Sequence, residues 1–197
     1  AELLEFCDVL TDADFEPFGG RAKIEALLRK PAEATCDFYI EETPVDGIPY
    51  WDTGAPNLHR LGHYLDAAAN PFNDWEPVDS SAAAIASQGL LRLGKWLAKH
   101  KEAKDKKAGQ RYWQAGLTVL KTLFNDTYIS EDPAHQGLVL HSVYHRPNGW
   151  DHIPPGRKVP CGESSMWGDY HAREVALYVQ REFDGKPYLT FFGPPKL

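Results

Sequence analysis

The sequence predicts an all-α protein in which paired helices are joined by long irregular loops. Two observations lead to this prediction. Apolar residues recur with helical spacing in several segments of the 197-residue chain. Most prolines and glycines fall between those segments, in residues 44–77, 130–137 and 145–163. Helical hairpins with elaborate connections are typical of a helical toroid, in which the hairpins stand side by side around a ring.

The first helical segment covers residues 19–43. Proline is tolerated in the first turn of a helix, but it removes a hydrogen bond from a helix interior. We therefore predict two consecutive helical stretches, with Pro31 at the first position of the second stretch.

The clearest helix is predicted over residues 78–100. Asp79 or Ser80 can cap its N-terminus, because either side chain accepts a hydrogen bond from a backbone N–H of the first turn. The small residues near its start allow another backbone to approach closely. We expect one apolar face, made of Ala82, Ile85, Ala86, Gly89, Leu90, Leu93 and Leu97.

Two further helices follow in the second half of the chain. The first covers residues 106–128, and its apolar residues are Trp113, Leu117, Leu120 and Phe124. The second covers residues 164–183, and we expect it to bury Ala172, Val175, Ala176 and Val179. Between them, residues 137–145 alternate in the manner of a β-prone segment.

Composition narrows the classes of function. The formal net charge of −7 argues against a nucleic-acid partner, because such a partner is bound by a basic face. A local basic pocket for a small acidic substrate is compatible with this charge. No apolar run approaches the length needed to cross a bilayer, so no membrane span is expected.

The three cysteines, Cys7, Cys36 and Cys161, are widely spaced and form no CxxC or Cys/His pattern. Thiols in this arrangement are typical of a cytosolic protein, in which they stay reduced. The histidines lack the spacing of a metal site, so neither a metal nor another cofactor is predicted. Because the chain starts at Ala1 without a Met, a lost leader sequence and a periplasmic location stay open.

The first candidate for ligand binding is DGIPYWDTGAP, residues 46–56. Its glycines and prolines form a rigid turn that presents Trp51 and Asp52. An aromatic ring beside a carboxylate can hold a sugar, because the ring stacks on the apolar sugar face and the acid accepts hydroxyl hydrogen bonds. The structural interpretation, in which the loop plugs the helical core with the indole, is at least as well supported.

The second candidate runs from Tyr144 to the start of the last helix. It offers rings for stacking and cations for a carboxylate or sulfate. A structural alternative remains for the serines, which can simply cap the helix. So many aromatic and charged groups in one loop favour a ligand-binding surface. The candidates here are Tyr144, His145, Arg146, Trp150, Arg157, Lys158, Glu163, Ser164 and Trp167.

Four stretches together resemble a known family. In order they are IPYWDTGAP (48–56), DSSAAAIASQGLLRLG (79–94), GLVLHSVYHRP (137–147) and GESSMWGDYHAREVAL (162–177). They resemble the C-terminal half of the unsaturated glucuronyl hydrolases, glycoside hydrolase family 88, to which the unsaturated rhamnogalacturonyl hydrolases of family 105 are related. Each motif alone is moderately specific, and the resemblance extends over nearly the whole chain from Ala32 onward.

The resemblance implies an (α/α)6 barrel and a particular hydrolysis. The substrates would be oligosaccharides released by polysaccharide lyases, which carry a C4=C5 double bond in the terminal uronic acid. An aspartic acid protonates the vinyl ether, water adds at C5, and the resulting hemiketal opens and expels the remaining sugar chain. This reaction differs from the usual glycosidase scheme with two carboxyl groups and needs an acid with a tuned pKa.

The length of the chain limits what the resemblance implies. Members of the family are about twice as long, and twelve helices do not fit in 197 residues. We therefore expect residues 1–197 to form a single partial domain, the C-terminal half of the toroid, whose partner is the missing N-terminal half. The catalytic aspartate is expected N-terminal to this chain, and structural or binding roles are expected for Asp52, Asp79 and Asp169.

The resemblance also implies that the loop before the last helix borders the mouth of the barrel. Tyr144, His145, Arg146, Trp150 and the pair Arg157/Lys158 would then face the sugar beyond the scissile bond. Two alternatives remain open. The chain could belong to a non-catalytic carbohydrate-binding protein on the same toroid, or to another (α/α)6 carbohydrate enzyme.

Overall fold

The computed structural model describes residues 1–187, and it is helical. The last ten residues of the predicted domain, 188–197, lie outside the described residues. The six α-helices of residues 1–187 are α1 (Glu2–Cys7), α2 (Asp12–Phe15), α3 (Arg21–Glu41), α4 (Ser80–Ala98), α5 (Ala103–Leu123) and α6 (Met166–Phe183). Short 3₁₀ turns occupy Glu16–Phe18, Leu58–Leu61, Tyr64–Asp66 and Arg146–Asn148.

The predicted all-α class is confirmed. Within residues 1–187, β-type pairing is limited to the isolated bridges Tyr50–Val78 and Ile129–Val139. The β-prone segment 137–145 contributes the second bridge but forms no regular strand. The N–H groups of Leu138 and Val139 in this segment donate to a side chain and not to a neighbouring strand. Their acceptor is the Asp169 carboxylate of α6, at 2.8 Å in both cases.

The prediction of two helical stretches around Pro31 was wrong. Helix α3 is continuous over 21 residues, with Pro31 in its interior. Pro31 is exposed, and so is Leu27, whose carbonyl loses its helical donor at this point. Water can hydrogen-bond that carbonyl on the exposed side, so the helix tolerates the proline.

Helix α4 lies at the centre of the fold and packs against α1, α3, α5 and α6. The Asp79 carboxylate caps its N-terminus by accepting the Ser81 N–H at 3.0 Å, as one of the two predicted caps. Leu90, Leu93 and Leu97 are buried as predicted. Ile85 is 45% exposed, because the first turns of α4 bury small residues instead: Ser80, Ser81, Ala83, Ala84 and Ser87.

Glycines bring α4 and α5 into close contact. A Cβ atom on Gly94 would lie 2.7 Å from the carbonyl oxygen of Gly109, and a Cβ on Gly109 would lie 2.7 Å from the carbonyl oxygen of Gly94. Two turns along, the Ser87 hydroxyl donates to the Gly116 carbonyl at 2.9 Å. The two backbones therefore touch directly over this part of the hairpin.

Replacing Gly94 by alanine is expected to destabilise the protein by about 1–3 kcal/mol, because the added methyl group meets rigid backbone atoms. Gly89→Ala, on the same helix, is the matched control. Nothing lies within 4 Å of a Cβ at Gly89, so alanine there should be neutral or stabilise by up to about 1 kcal/mol. Urea denaturation of both variants measures the difference, and equal midpoints would contradict the packing described.

Helices α3 and α6 each expose large apolar side chains. On α6 these are Met166 (84% exposed), Tyr170 (60%), Leu177 (43%) and Phe183 (75%). Helix α3 exposes Leu27 and Phe38. Among residues 1–187, no helix has both the length and the apolar character that crossing a membrane would require.

Candidate functional site

Three of the predicted aromatic residues lie together. The Tyr144 ring stacks on Trp150 with their centroids 5.8 Å apart, and its centroid lies 5.5 Å from that of the tilted Trp167 ring. We name this place the aromatic cleft, after Tyr144, Trp150 and Trp167. It encloses about 320 Å³, and Glu163 and Ser164 are also among its lining residues. Tyr144 and Trp150 are 59% and 61% exposed, so both side chains are accessible to a ligand.

A carboxylate that the sequence analysis missed shapes the rim of the aromatic cleft. The Asp151 carboxylate accepts the backbone N–H of Tyr144 and, at 3.1 Å, that of His145. The His145 ring in turn lies 4.9 Å from the Trp150 ring. Between them the 3₁₀ turn Arg146–Asn148, which contains the half-buried Arg146, reverses the chain. The loop thereby folds back and brings Trp150 against Tyr144.

A hydrogen-bonded chain fixes Trp167. Its indole Nε1–H donates to the Ser81 hydroxyl at 3.0 Å, and that hydroxyl donates to Asp79 Oδ1 at 2.7 Å. The same oxygen accepts the Val143 N–H at 3.3 Å. Burial raises the pKa of the Asp79 carboxyl, although these hydrogen bonds oppose that shift. Asp79, which caps α4, therefore orients Trp167 through Ser81 and holds the backbone of Val143, next to Tyr144.

Glu163 and Ser164 lie at the edge where the aromatic cleft meets a larger groove. That groove holds about 1030 Å³ and runs along α6 past Asp169 and Tyr170. The Ser164 hydroxyl lies 3.0 Å from Nε2 of His135, while the neighbouring Ser165 caps α6. The position of Ser164 is therefore not that of a cap, which leaves its hydroxyl at the groove.

Trp51 and Asp52 lie in a different place, within the loop before α4. The Trp51 indole donates to Glu76 Oε2 at 2.8 Å, and the other oxygen of this buried carboxylate accepts the Asn57 backbone N–H, also at 2.8 Å. Asp52 is exposed and accepts the Gly54 N–H at 2.6 Å. These contacts favour the structural interpretation of the pair, and Glu76 is a further residue that the sequence analysis missed.

Arg157 and Lys158 connect two loops. The Arg157 guanidinium lies 4.9 Å above the Phe72 ring and donates to the Phe72 carbonyl at 3.4 Å. The Lys158 ammonium donates to the Asp74 carboxylate at 2.7 Å. Both cations are exposed, so their charges remain open to an acidic ligand while they hold residues 72–74 in place.

The three aspartates singled out in the sequence all accept hydrogen bonds from backbone N–H groups. Asp52 and Asp79 accept N–H groups as described, and Asp169 accepts two more through both of its oxygens. These contacts give the three carboxylates structural roles in the loops and the helix start around the site. Within the described part of the chain, no three His, Cys, Asp or Glu side chains are grouped so that they could hold a metal ion.

The chain is similar in sequence to two curated proteins. It is 29% identical over 146 residues to the unsaturated glucuronyl hydrolase of Formosa agariphila, a match covering 73% of this chain and 28% of that protein. It is 27% identical over 164 residues to the unsaturated glucuronyl hydrolase of Bacillus sp. (strain GL1), covering 83% of this chain and 36% of that protein. No protein-family model matches the chain.

The fold is similar to that of a solved unsaturated glucuronyl hydrolase from Bacillus sp. GL1, a protein responsible for the degradation of glycosaminoglycan. The TM-score is 0.57 at 22% sequence identity, over 92% of this chain and 39% of that one. A second solved structure, of UGL with dGlcA-Glc-Rha-Glc, matches equally well. These findings confirm the resemblance and the partial helical barrel. The chain spans only about a third of the length of the curated relatives it matches.

Proposed function

We propose that this chain supplies the substrate-binding wall of an enzyme that hydrolyses unsaturated uronyl oligosaccharides released by polysaccharide lyases, through hydration of their C4=C5 double bond. The aromatic cleft carries this proposal, since its exposed rings offer stacking surfaces of the kind that sugars use. The likeness to unsaturated glucuronyl hydrolases in sequence and fold supports the substrate class.

Each part of the aromatic cleft has a role in this proposal. The apolar face of a sugar stacks on Tyr144 or Trp150, and its hydroxyls bond to Glu163 and Ser164. The cations of Arg146, Arg157 and Lys158 neutralise a carboxylate or sulfate of the sugar beyond the scissile bond, as His145 closes the rim. Trp51 stabilises the loop that Arg157 and Lys158 contact through its hydrogen bond to Glu76, and Asp52 stabilises its own turn at Gly54.

The proton donor belongs to another part of the protein in this proposal. Asp52, Asp79 and Asp169 hold backbone N–H groups, so none of them is assigned as the acid. We place the catalytic aspartate N-terminal to this chain. The non-catalytic alternative, a carbohydrate-binding protein on the same helical ring, draws on the same observation.

Replacing Tyr144 by alanine tests the aromatic cleft. We expect about a tenfold weaker binding of an unsaturated uronyl disaccharide, because the ring that contacts both Trp150 and Trp167 is lost as a stacking surface. Isothermal titration of this chain measures the dissociation constant. Tyr170→Ala is the matched control, since Tyr170 is 60% exposed but lies on α6 outside the aromatic cleft. Equal losses in the two variants would contradict the assignment.

The reaction is tested on the longer protein that contains this chain. Addition of water to the C=C–COO⁻ group removes its ultraviolet absorbance, so turnover of lyase products is followed directly. Loss of absorbance supports the unsaturated uronyl hydrolase. Binding without loss of absorbance supports the non-catalytic alternative, and turnover of saturated oligosaccharides alone supports another (α/α)6 carbohydrate enzyme.

We propose that the exposed faces of α3 and α6 are covered by the N-terminal half of the same helical ring. The exposed residues Leu27, Phe38, Met166, Tyr170 and Leu177 form faces of the kind that mark contact surfaces. Coexpression with the upstream part of the gene should yield a one-to-one complex in size-exclusion chromatography. If residues 1–197 alone form a well-folded monomer that does not bind that partner, the proposal is contradicted. If they form an oligomer with one another, self-association covers these faces instead.

The cytoplasm is the location that we propose. Cys7, Cys36 and Cys161 are all buried and unbridged, as is usual for thiols in a reducing compartment. Burial raises the pKa of Cys36 to about 11, which keeps this thiol protonated and unreactive. Fractionation of the source cells would reveal a periplasmic location instead.

A further inference from the structure

A histidine next to the aromatic cleft has an unusual backbone. His141 has φ of 70° and is the one non-glycine residue with positive φ in the described part of the chain. Its residue surface is only 2% exposed. Left-handed backbone disfavours residues with a Cβ by about 1–2 kcal/mol, so the surroundings must hold His141 in this conformation.

Both ring nitrogens of His141 bond backbone atoms of other loops. Nδ1 accepts the Gly162 N–H at 3.0 Å. Because Nδ1 is the acceptor, the ring hydrogen is on Nε2, which donates to the Thr127 carbonyl at 3.1 Å. The backbone carbonyl of His141 accepts the Ser80 N–H at 3.1 Å. One residue therefore ties together the start of α4 and two separate loops.

Aromatic packing fixes the plane of the His141 ring. Phe72 meets it edge to face at 5.1 Å and 87°, and Tyr128 does the same at 5.6 Å and 84°. The same Phe72 carries the Arg157 guanidinium. The loop that Arg157 and Lys158 hold is thus in contact with this ring as well.

The ring of His141 stands between the two edges of the aromatic cleft. One edge follows it in the chain, because Tyr144 is three residues on. The other begins at Gly162, next to Glu163. The Ser142 N–H joins the two edges by donating to the Glu163 carbonyl at 2.9 Å. A displacement of the ring or of its left-handed backbone therefore changes the distance and orientation of Tyr144 relative to Glu163.

We propose that His141 is a positioning residue of the aromatic cleft, which sets the distance and angle between the Tyr144 edge and the Glu163–Trp167 edge through its neutral ring and left-handed backbone. It acts through these residues and does not touch the ligand. The ligand in this proposal rests on the proposed function, whereas the alignment of the two edges does not.

Electrostatics agree with a ring that stays neutral. Burial lowers the pKa of His141 to about 4. The charged and titratable groups that face it are the Arg157 cation, which contributes to this lowering, and the Tyr128 hydroxyl, whose own pKa burial raises. Protonation would place an N–H on Nδ1 against the Gly162 N–H, so the contact that aligns the two edges exists only for the neutral ring.

Two variants separate positioning from mere stability. His141→Gly accepts positive φ and removes the ring, and His141→Asn tolerates the same backbone with a shorter side chain. Exposed His59, in the turn Leu58–Leu61, supplies the control His59→Asn. Titrations with an unsaturated uronyl disaccharide are run at a temperature at which all variants are folded. We expect at least tenfold weaker binding for both His141 variants, no change for the control, and partial recovery of His141→Gly by added imidazole.

The outcomes are decisive in each case. Binding that stays within twofold of wild type while the melting temperature falls would show a purely structural role and overturn the proposal. If wild type binds no disaccharide, the proposed function fails, and crystal structures of wild type and His141→Gly decide the alignment. An unchanged Tyr144–Trp167 separation and an intact Ser142–Glu163 hydrogen bond would then overturn it, and a shift of the two edges would support it.

A measurement on wild type alone covers the case in which the variants do not fold. Nitrogen NMR of the His141 ring should show the tautomer with hydrogen on Nε2, neutral from pH 8 down to pH values well below 6.5, the ordinary pKa of histidine. The other tautomer, or titration of His141 near the ordinary pKa of 6.5, would overturn the proposal.

Discussion

Glu5→Gln or Arg92→Ala is expected to lower the free energy of unfolding by about 3–5 kcal/mol. The Arg92 guanidinium donates to the Glu5 carboxylate at 2.5 Å, and the side chains are 5% and 6% exposed. Removing one partner takes from the other buried charge its shortest ion-pair contact, which is costly because a buried charge is poorly solvated. Arg92 would still face Glu174 at 3.6 Å, but that side chain is 33% exposed and the contact is long. Arg92 also lies 5.1 Å from the Tyr178 ring, so one side chain joins α1, α4 and α6.

Urea denaturation of the single variants measures this effect. The double variant Glu5→Leu/Arg92→Met provides the first control, because replacing both charges by apolar groups of similar size is often nearly neutral. Lys99→Ala provides the second. Lys99 pairs with Asp8 at 2.6 Å, but its side chain is 47% exposed, so its loss should cost less than about 1 kcal/mol. Single variants no more destabilised than Lys99→Ala would show that water reaches the Arg92–Glu5 pair.

Local sequence pattern was enough to predict most of the fold. Helical periodicity depends on residues three and four apart, so the long helices α4, α5 and α6 were found, with ends wrong by two residues at most for α4 and α6 and by up to five for α5. The predictions were wrong where contacts between residues far apart in the chain determine which side of a helix is buried. Pro31 continues a helix because its side of α3 is exposed, and Ile85 is exposed because α4 buries small residues in its first turns.

The candidate site was predicted by residue type and only partly by location. Aromatic residues in a long loop are visible in a sequence, and Tyr144, Trp150 and Trp167 indeed come together. The residues that orient them were missed, because their partners are far away in the chain. Ser81 bonds Trp167 across 86 positions, and Asp79 bonds Val143 across 64. The one sequence signal for that network was the helix cap at Asp79.

Lowering the pH from about 6.5 to 4 is expected to remove about 3 kcal/mol of stability through His141 alone. Its folded pKa of about 4 lies below the usual value of 6.5 because the ring is buried. Between these values the unfolded chain binds the proton and the folded chain does not. Stability therefore rises with pH over this window and is constant above it.

The sign of this effect distinguishes His141 from the buried carboxyl beside it. Burial raises the pKa of Asp79, so the folded state holds that proton more tightly and Asp79 favours stability at lower pH. Denaturation curves of wild type and His141→Asn, measured from pH 4 to 8, isolate the histidine because Asp79 contributes to both. The free-energy difference between the two proteins should shrink as the pH falls through the window. A difference independent of pH would mean that folding leaves the pKa of His141 at its ordinary value, which would contradict the buried, neutral ring that accepts the Gly162 N–H.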